Sequence, residues 1–175
     1  MRLAAVVGAV AALALCAACT DAQPKAEQPT PTDDASSQSL VQLTKGDACG
    51  DVYFWATTKD GDTAVTVSVQ AMRRSRDKQT TIPFSVLGDL ARVAVLRGTQ
   101  LARNFCTDLP SLESEPTERL KASSGTGTIV INASAPNQAC GNTEGTLTLD
   151  NLVASDGTRF APINVTSNQI GCYAG

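Results

Sequence analysis

The chain has no histidine at any of its 175 positions. Without imidazole it can build neither a Ser-His-Asp nor a Cys-His nucleophile system, no histidine-ligated zinc or copper, and no histidine pH switch. Aromatic residues are few: four Phe, two Tyr and one Trp, all beyond residue 50. An excess of positive charge is absent too. The 14 basic and 17 acidic side chains leave a formal net charge of -3 and a pI near 4.9, which speaks against nucleic acid as a partner, because phosphate binding needs a basic face. The longest apolar run, residues 3–15, is shorter than the ~20 residues that cross a hydrocarbon core. No internal repeat is present, and the length supports one domain with a tail rather than two domains.

What is present begins with an address. Arg2 supplies a one-charge n-region ahead of the apolar run, and the small residues Ala17 and Ala18 precede Cys19. With that order of residues the N-terminus resembles a bacterial lipoprotein precursor, whose small-residue lipobox ends in a cysteine that is lipidated and becomes the new N-terminus. Ala17 matches the −2 position, Ala18 the −1 position and Cys19 the modified residue. The −3 position departs from the pattern: Cys16 stands where an aliphatic residue is usual, with Leu15 one place further back. Cys16 is itself preceded by Leu15 instead of a small residue, which makes it the poorer candidate.

The resemblance covers about the first twenty residues and names a processing class, not a domain family. It implies a signal peptide over residues 1–18, lipidation (palmitate) at Cys19, and a location on the extracytoplasmic face of the cell membrane. Two or more acyl chains hold such a protein stably, at about 0.8 kcal/mol per buried CH₂. The plainer alternative is an ordinary cleaved secretory signal with an incidental cysteine. Cys16 and Cys19 also spell C-x-x-C, but inside an apolar signal and not after a strand, so no redox site is expected. Nine Arg to five Lys and the Ala-rich signal resemble a high-GC, actinobacterial-type composition.

Residues 19–42 contain Pro24, Pro29 and Pro31 among Thr, Ser, Gln and Asp. Such a segment buries too little apolar surface to offset its ordering entropy and reads as a disordered tether. Residues 43–175 carry the folded domain. There, Val65, Val67, Val69 and Ala71 alternate with Thr66, Ser68 and Gln70, the period of a half-buried strand. Asp60-Gly61 before that run predicts a two-residue hairpin joining strands over 52–58 and 63–72. Further strands are expected over 126–133, 145–152 and 159–165, with a turn at Asp156-Gly157. Residues 92–101 predict another strand, with a short helix over 99–106, Leu101 facing Phe105, as the alternative for its end. Residues 109–121, with two prolines and three glutamates, read as a loop. The fold class expected is all-β, an antiparallel β-sandwich.

Cys49, Cys106, Cys140 and Cys172 remain after processing, and in an exported protein four cysteines most simply make two disulfides. Spacing does not choose among the three pairings; Cys49–Cys106 with Cys140–Cys172 is the preferred one. A four-thiolate metal site lacks closely spaced ligand pairs, so no metal and no cofactor is expected. An antibody-type domain fits poorly, because Trp55 follows Cys49 too soon and no tyrosine stands two residues before Cys106 or Cys172.

Four groups of residues invite a functional reading. Arg73, Arg74, Arg76 and Lys78 form the one basic run, a candidate contact for an anionic surface, set against a plain solvated loop. Ser75-x-x-Lys78 within it has the spelling of the serine β-lactamase pair but none of the companion motifs. Asp60 and Asp62, and Asp47 and Asp51, read as turn formers and lack the ligand series of a calcium loop. Glu113, Glu115 and Glu118 fall on one stretch, while glycan hydrolysis needs two carboxylates opposed across a cleft. Tyr53 and Trp55 share one face of a strand and offer a candidate ligand face for a sugar or apolar group, the alternative being a core tryptophan. The expectation is a non-enzymatic envelope binding module for a protein, glycan or lipid. The alternative is a histidine-free glycan-acting enzyme using acidic residues.

Overall fold

The computed structural model describes residues 39–69, 78–134 and 142–171. Eight strands stand in these residues: β1 (Lys45–Cys49), β2 (Tyr53–Thr57), β3 (Thr63–Val69), β4 (Thr80–Ser85), β5 (Ala91–Gly98), β6 (Pro116–Ile131), β7 (Thr143–Ala154) and β8 (Ile163–Ile170). They make one antiparallel sheet in the order β1-β2-β3-β5-β6-β7-β8, with β4 paired to β6. The sheet nearly closes. The Gly171 N–H donates to the Gly50 carbonyl at 2.9 Å, the Ser167 hydroxyl to the Ala48 carbonyl at 3.4 Å, and Gly46 lies against Val165.

The alternation read from the sequence is what builds the inner face. Phe54 and Ala56 of β2, Val65 and Val67 of β3, Val95 of β5, Ile129 and Ile131 of β6, Leu147 and Leu149 of β7, and Ile163 and Val165 of β8 pack into one buried cluster. Burial of side chains of this size contributes about 1.5–3 kcal/mol each. The all-β antiparallel expectation is met. The chain joins the fold at Val41, whose N–H donates to the Arg159 carbonyl and whose carbonyl accepts from the Ala161 N–H.

β2 and β3 pair as expected, from Tyr53↔Ser68 to Thr57↔Ala64. The connection is longer than the two-residue turn that Asp60-Gly61 suggests. The Gly61 N–H bonds the Thr58 carbonyl, Gly61 takes φ +83°, and the Thr58 N–H bonds the Thr63 carbonyl. The Asp60 carboxylate accepts from the Thr58 hydroxyl and the Asp62 N–H. That Asx-type closure favours the longer loop over a type I′ turn.

The loop expected over 109–121 is a strand from Pro116 onward. Residues 116–121 lie along β5, from Gly98↔Pro116 to Ala94↔Lys121. Glu118, Arg119 and Lys121 are exposed, so this half of β6 has a weak alternation and is specified by its neighbour instead of by its own pattern. β1 and β4 carried no strand signature for similar reasons. Gly46 and Asp47 weaken the first. In the second, Pro83 occupies a strand that pairs only with β6, an edge that tolerates the missing N–H. Residues 101–104 form a short 3₁₀ helix, η1 (Leu101–Asn104), and 112–114 a second, η2 (Leu112–Ser114).

Cys49 and Cys106 are joined, with Cα atoms 5.8 Å apart. Cys140 and Cys172, the other expected pair, lie outside the described residues, as does Cys19. No described helix is long and apolar enough to cross a membrane.

Candidate functional site

Two outer faces of the sheet differ in chemistry, and register shows how each is assembled. On β4, β6, β7 and β8 the residues between core positions point outward. The pairs are Thr81↔Val130, Pro83↔Thr128 and Ser85↔Thr126 between β4 and β6. Across β6 and β7 they are Val130↔Thr146, Thr128↔Thr148 and Thr126↔Asp150, and across β7 and β8 Thr146↔Thr166 and Thr148↔Asn164. The result is a face dominated by hydroxyls, with the Asn164 amide, the Asp150 carboxylate, Val130 and Pro83 among them and no described Lys or Arg at these positions. The Thr146 and Thr166 hydroxyls bond each other at 3.2 Å, and the Thr148 hydroxyl donates to the Thr128 carbonyl at 3.4 Å.

This face ends at a bend made by two compensating bulges. Between Ala122↔Ala154 and Ser124↔Val153 the extra residue lies on β6; between Ser124↔Val153 and Thr126↔Asp150 it lies on β7. Gly125 takes φ +140°, which a side chain would strain, and Asn151 takes φ +54°, which asparagine tolerates better than most residues. Carbonyls freed from the ladder are recovered by serines. The Ser123 hydroxyl lies 3.1 Å from the Val153 and Ala154 carbonyls, and the Ser124 hydroxyl donates to the Asn151 carbonyl at 3.3 Å. Bulges of this kind bend strands and re-aim side chains next to binding sites.

The bend opens a concavity of about 810 Å³ with Leu40, Phe160 and Pro162 on one side and Ser124, Asp150, Asn151 and Arg159 among its polar lining. A shallower hollow of about 500 Å³, reaching Pro83, Leu90 and Thr148, shares Thr126 and Asp150 with it. Together they form a continuous surface on which the hydroxyls of Ser85, Ser124, Thr126, Thr128 and Thr148 stand among apolar groups.

The other outer face, on β1, β2, β3 and β5, is covered. Leu101 of η1 packs on Ala64 and Leu96, with Ala94 and Phe105 beside them. Phe105 lies 6.3 Å from Tyr53 and 5.3 Å from Trp55, ring centre to ring centre. The disulfide of Cys106 with Cys49 holds this cover down. The Asn104 side chain closes the loop behind it, donating to the Ser111 carbonyl at 2.8 Å and accepting from the Ser111 N–H at 2.7 Å. Tyr53 and Trp55 therefore share a face as expected, half-buried under Phe105. Trp55 stands neither in the central core nor on an open platform.

The acidic residues separate. Glu118 pairs with Arg97 at 3.0 Å, while Glu113 within η2 and Glu115 just after it are exposed. Arg97 also binds Asp156 and the Thr158 hydroxyl, linking β5 and β6 to the turn before β8. The Thr158 backbone N–H, its hydroxyl and the Arg97 guanidinium hold the Asp156 carboxyl below the ordinary value of 3.8. The Thr58 hydroxyl and the Asp62 N–H do the same for Asp60. No group of three or more potential metal ligands occurs among the described residues. Of the basic run, Lys78 is exposed and Arg73, Arg74 and Arg76 lie outside the described residues.

The hydroxyl-rich face and the bend were not read from the sequence. The threonines were visible as the polar half of each alternation. The Ser123-Ser124-Gly125 and Asp150-Asn151 pairs were the signals for the bulges, an interior glycine and asparagine in otherwise regular strands. Compared with known proteins, the chain matches no family model, no curated protein and no solved structure.

Proposed function

We propose that the chain is an envelope lipoprotein, anchored through Cys19 on the extracytoplasmic face of the cell membrane, whose β domain is a binding module for a neutral envelope glycan. The observation that carries the binding half is the hydroxyl-rich face running into the bulge concavity. Such a surface offers paired donors and acceptors to hydroxyls, and the exposed Leu40 and Pro162 offer an apolar edge to a sugar ring. The hydroxyls around the concavity favour a glycan over a lipid, and a strongly anionic polymer would find Arg159 as the one cation in its lining. The anchoring half is supported by Arg2, the apolar run and the Ala17-Ala18-Cys19 sequence.

The fold supports a finer description as a flattened barrel, the expected sandwich with β6 shared by both faces. β5 lies along its first half and β4 along its second. A second bridge, Cys140–Cys172, is supported by the pairing of Thr143 with Ile170 and by the closeness of Asn142 to Gly171, where an added Cβ would meet Asn142 Oδ1 at 2.4 Å. Mass mapping without reduction would show that bridge directly.

The anchor is tested by feeding labelled palmitate to cells making the full chain. Label is expected on the native protein and on Cys16→Ser, and none on Cys19→Ser; equal labelling of Cys19→Ser overturns the anchor. The binding half is tested by co-sedimentation of the full chain with insoluble cell-wall glycan. Retention that Thr128→Arg abolishes supports the face, and retention unaffected by it rejects the face.

A further inference from the structure

The covered face holds a second site with the opposite chemistry, and it does not depend on the reading above. Lys45 of β1, Thr57 of β2, Asp60 and Gly61 of the β2–β3 turn, and Gln100, Ala102 and Arg103 around η1 line an open hollow of about 290 Å³, with Lys45 and Arg103 exposed at it. Lys45 and Thr57 are register partners on the outward side of β1 and β2, so the cation stands beside the hydroxyl. Neither Lys45 nor Arg103 forms an ion pair among the described residues.

Thr57 is wholly buried, at 0% exposure, yet its hydroxyl oxygen has no hydrogen-bond partner among the described residues. Two residues earlier on the same strand face, the Trp55 indole nitrogen is also buried without one. Buried polar groups without partners are rare in folded proteins, and each asks for an explanation. Here they share a direction. The indole N–H, the lysine ammonium and the guanidinium can only donate, and the threonine hydroxyl is free to donate. Asp60 is the one carboxylate in the lining. Its oxygen already accepts from the Thr58 hydroxyl and the Asp62 N–H, which turns it toward its own loop. In the lining, Thr57 is the buried group left without a partner, and the exposed Lys45 and Arg103 beside it favour an acceptor carrying negative charge.

We infer that this pocket binds an oxyanion group, a phosphate or a carboxylate, with Lys45 and Arg103 supplying the charge and the Thr57 hydroxyl a hydrogen bond. Two cations match a phosphate dianion better than a carboxylate, so phosphate binds the more tightly of the two. One wall is the segment through η1 that leads to Phe105 over Trp55 and to the Cys106 bridge, so the sole tryptophan serves as the reporter.

The test is titration of the full-length, oxidised chain with inorganic phosphate and, in parallel, acetate. Trp55 fluorescence and the indole N–H resonance are followed at fixed ionic strength, with chloride as control. A saturable change is expected with phosphate and a weaker one with acetate. Lys45→Gln and Arg103→Gln should each weaken it about tenfold or more, the effect of removing one charge-assisted bond. Thr57→Val should weaken binding while leaving the melting temperature equal or higher, and Thr57→Ser should restore it. A chloride response equal to that of phosphate, or variants that titrate like the native chain, overturns the inference. A Thr57→Val that is more stable and binds unchanged shows the hydroxyl to be a structural orphan and overturns its role.

Discussion

The outer face of β4, β6, β7 and β8 and the outer face of β1, β2, β3 and β5 belong to one sheet and lie over one core, yet they are finished in different ways. The first is left open: its threonines and serines bond one another or the backbone, and the surface needs no cover. The second presents Trp55, Ala64 and Leu96, which do need one, and receives it from residues 99–115 through Leu101, Phe105 and the Cys49–Cys106 bridge. An open polar face suits reversible contact with a large ligand. A stapled face can store unpaired donors around a small pocket.

The largest effect should come from the layer the two faces share. Phe54 has 0% exposure, and Phe54→Ala is expected to cost about 3–5 kcal/mol. In urea unfolding both faces should be lost in a single transition; separate transitions would show that they fold as independent units. Removing the staple should discriminate between them. The double variant Cys49→Ser, Cys106→Ser is expected to lose about 2–4 kcal/mol. Its Trp55 emission should shift to the red as Phe105 lifts away, while the far-ultraviolet strand signal and binding at Thr128 persist. An unshifted Trp55 would mean that packing alone holds the cover.

A smaller change strikes the open face from below. A Cβ at Gly127 would stand 2.5 Å from Phe84 Cζ and 2.7 Å from the Thr148 carbonyl. Gly127→Ala should therefore cost about 1–3 kcal/mol by overpacking, seen as a lower melting temperature. It should also weaken the face without touching the anion pocket.

The smallest effect is in acid. Asp156 titrates lower in the folded chain than its ordinary value of 3.8. Its stabilising contribution is complete above that value and is lost as pH falls through the lowered folded one. Stability should therefore decline at the acid end, and Asp156→Asn should remove part of that slope. An unchanged slope would assign it to other carboxylates such as Asp60.

Much of the inner layer was legible because period-two alternation is written into β3, β7 and the second half of β6, where one side of each strand is buried. The Cys49–Cys106 pairing and the contact of Leu101 with Phe105's neighbourhood were also expected from the residues. The first half of β6 was not legible. Glu118, Arg119 and Lys121 look like a loop until β5 lies beside them, since exposed strand residues are chosen by neighbours more than by their own propensity. β4 was hidden by Pro83 for the same reason. The candidate sites were harder still. Thr57, Lys45 and Arg103 lie far apart in sequence, and only the path of the chain across the outer face unites them. The basic residues 73, 74 and 76, which were conspicuous in the sequence, lie outside the described residues.

The most direct test of the binding account is native mass spectrometry of the full-length chain after exposure to a cell-envelope extract, followed by denaturation. The account predicts a retained glycan mass on the native chain, lost on denaturation and absent from Thr128→Arg. A native chain that emerges bare, or a Thr128→Arg chain that carries the same mass, would contradict it.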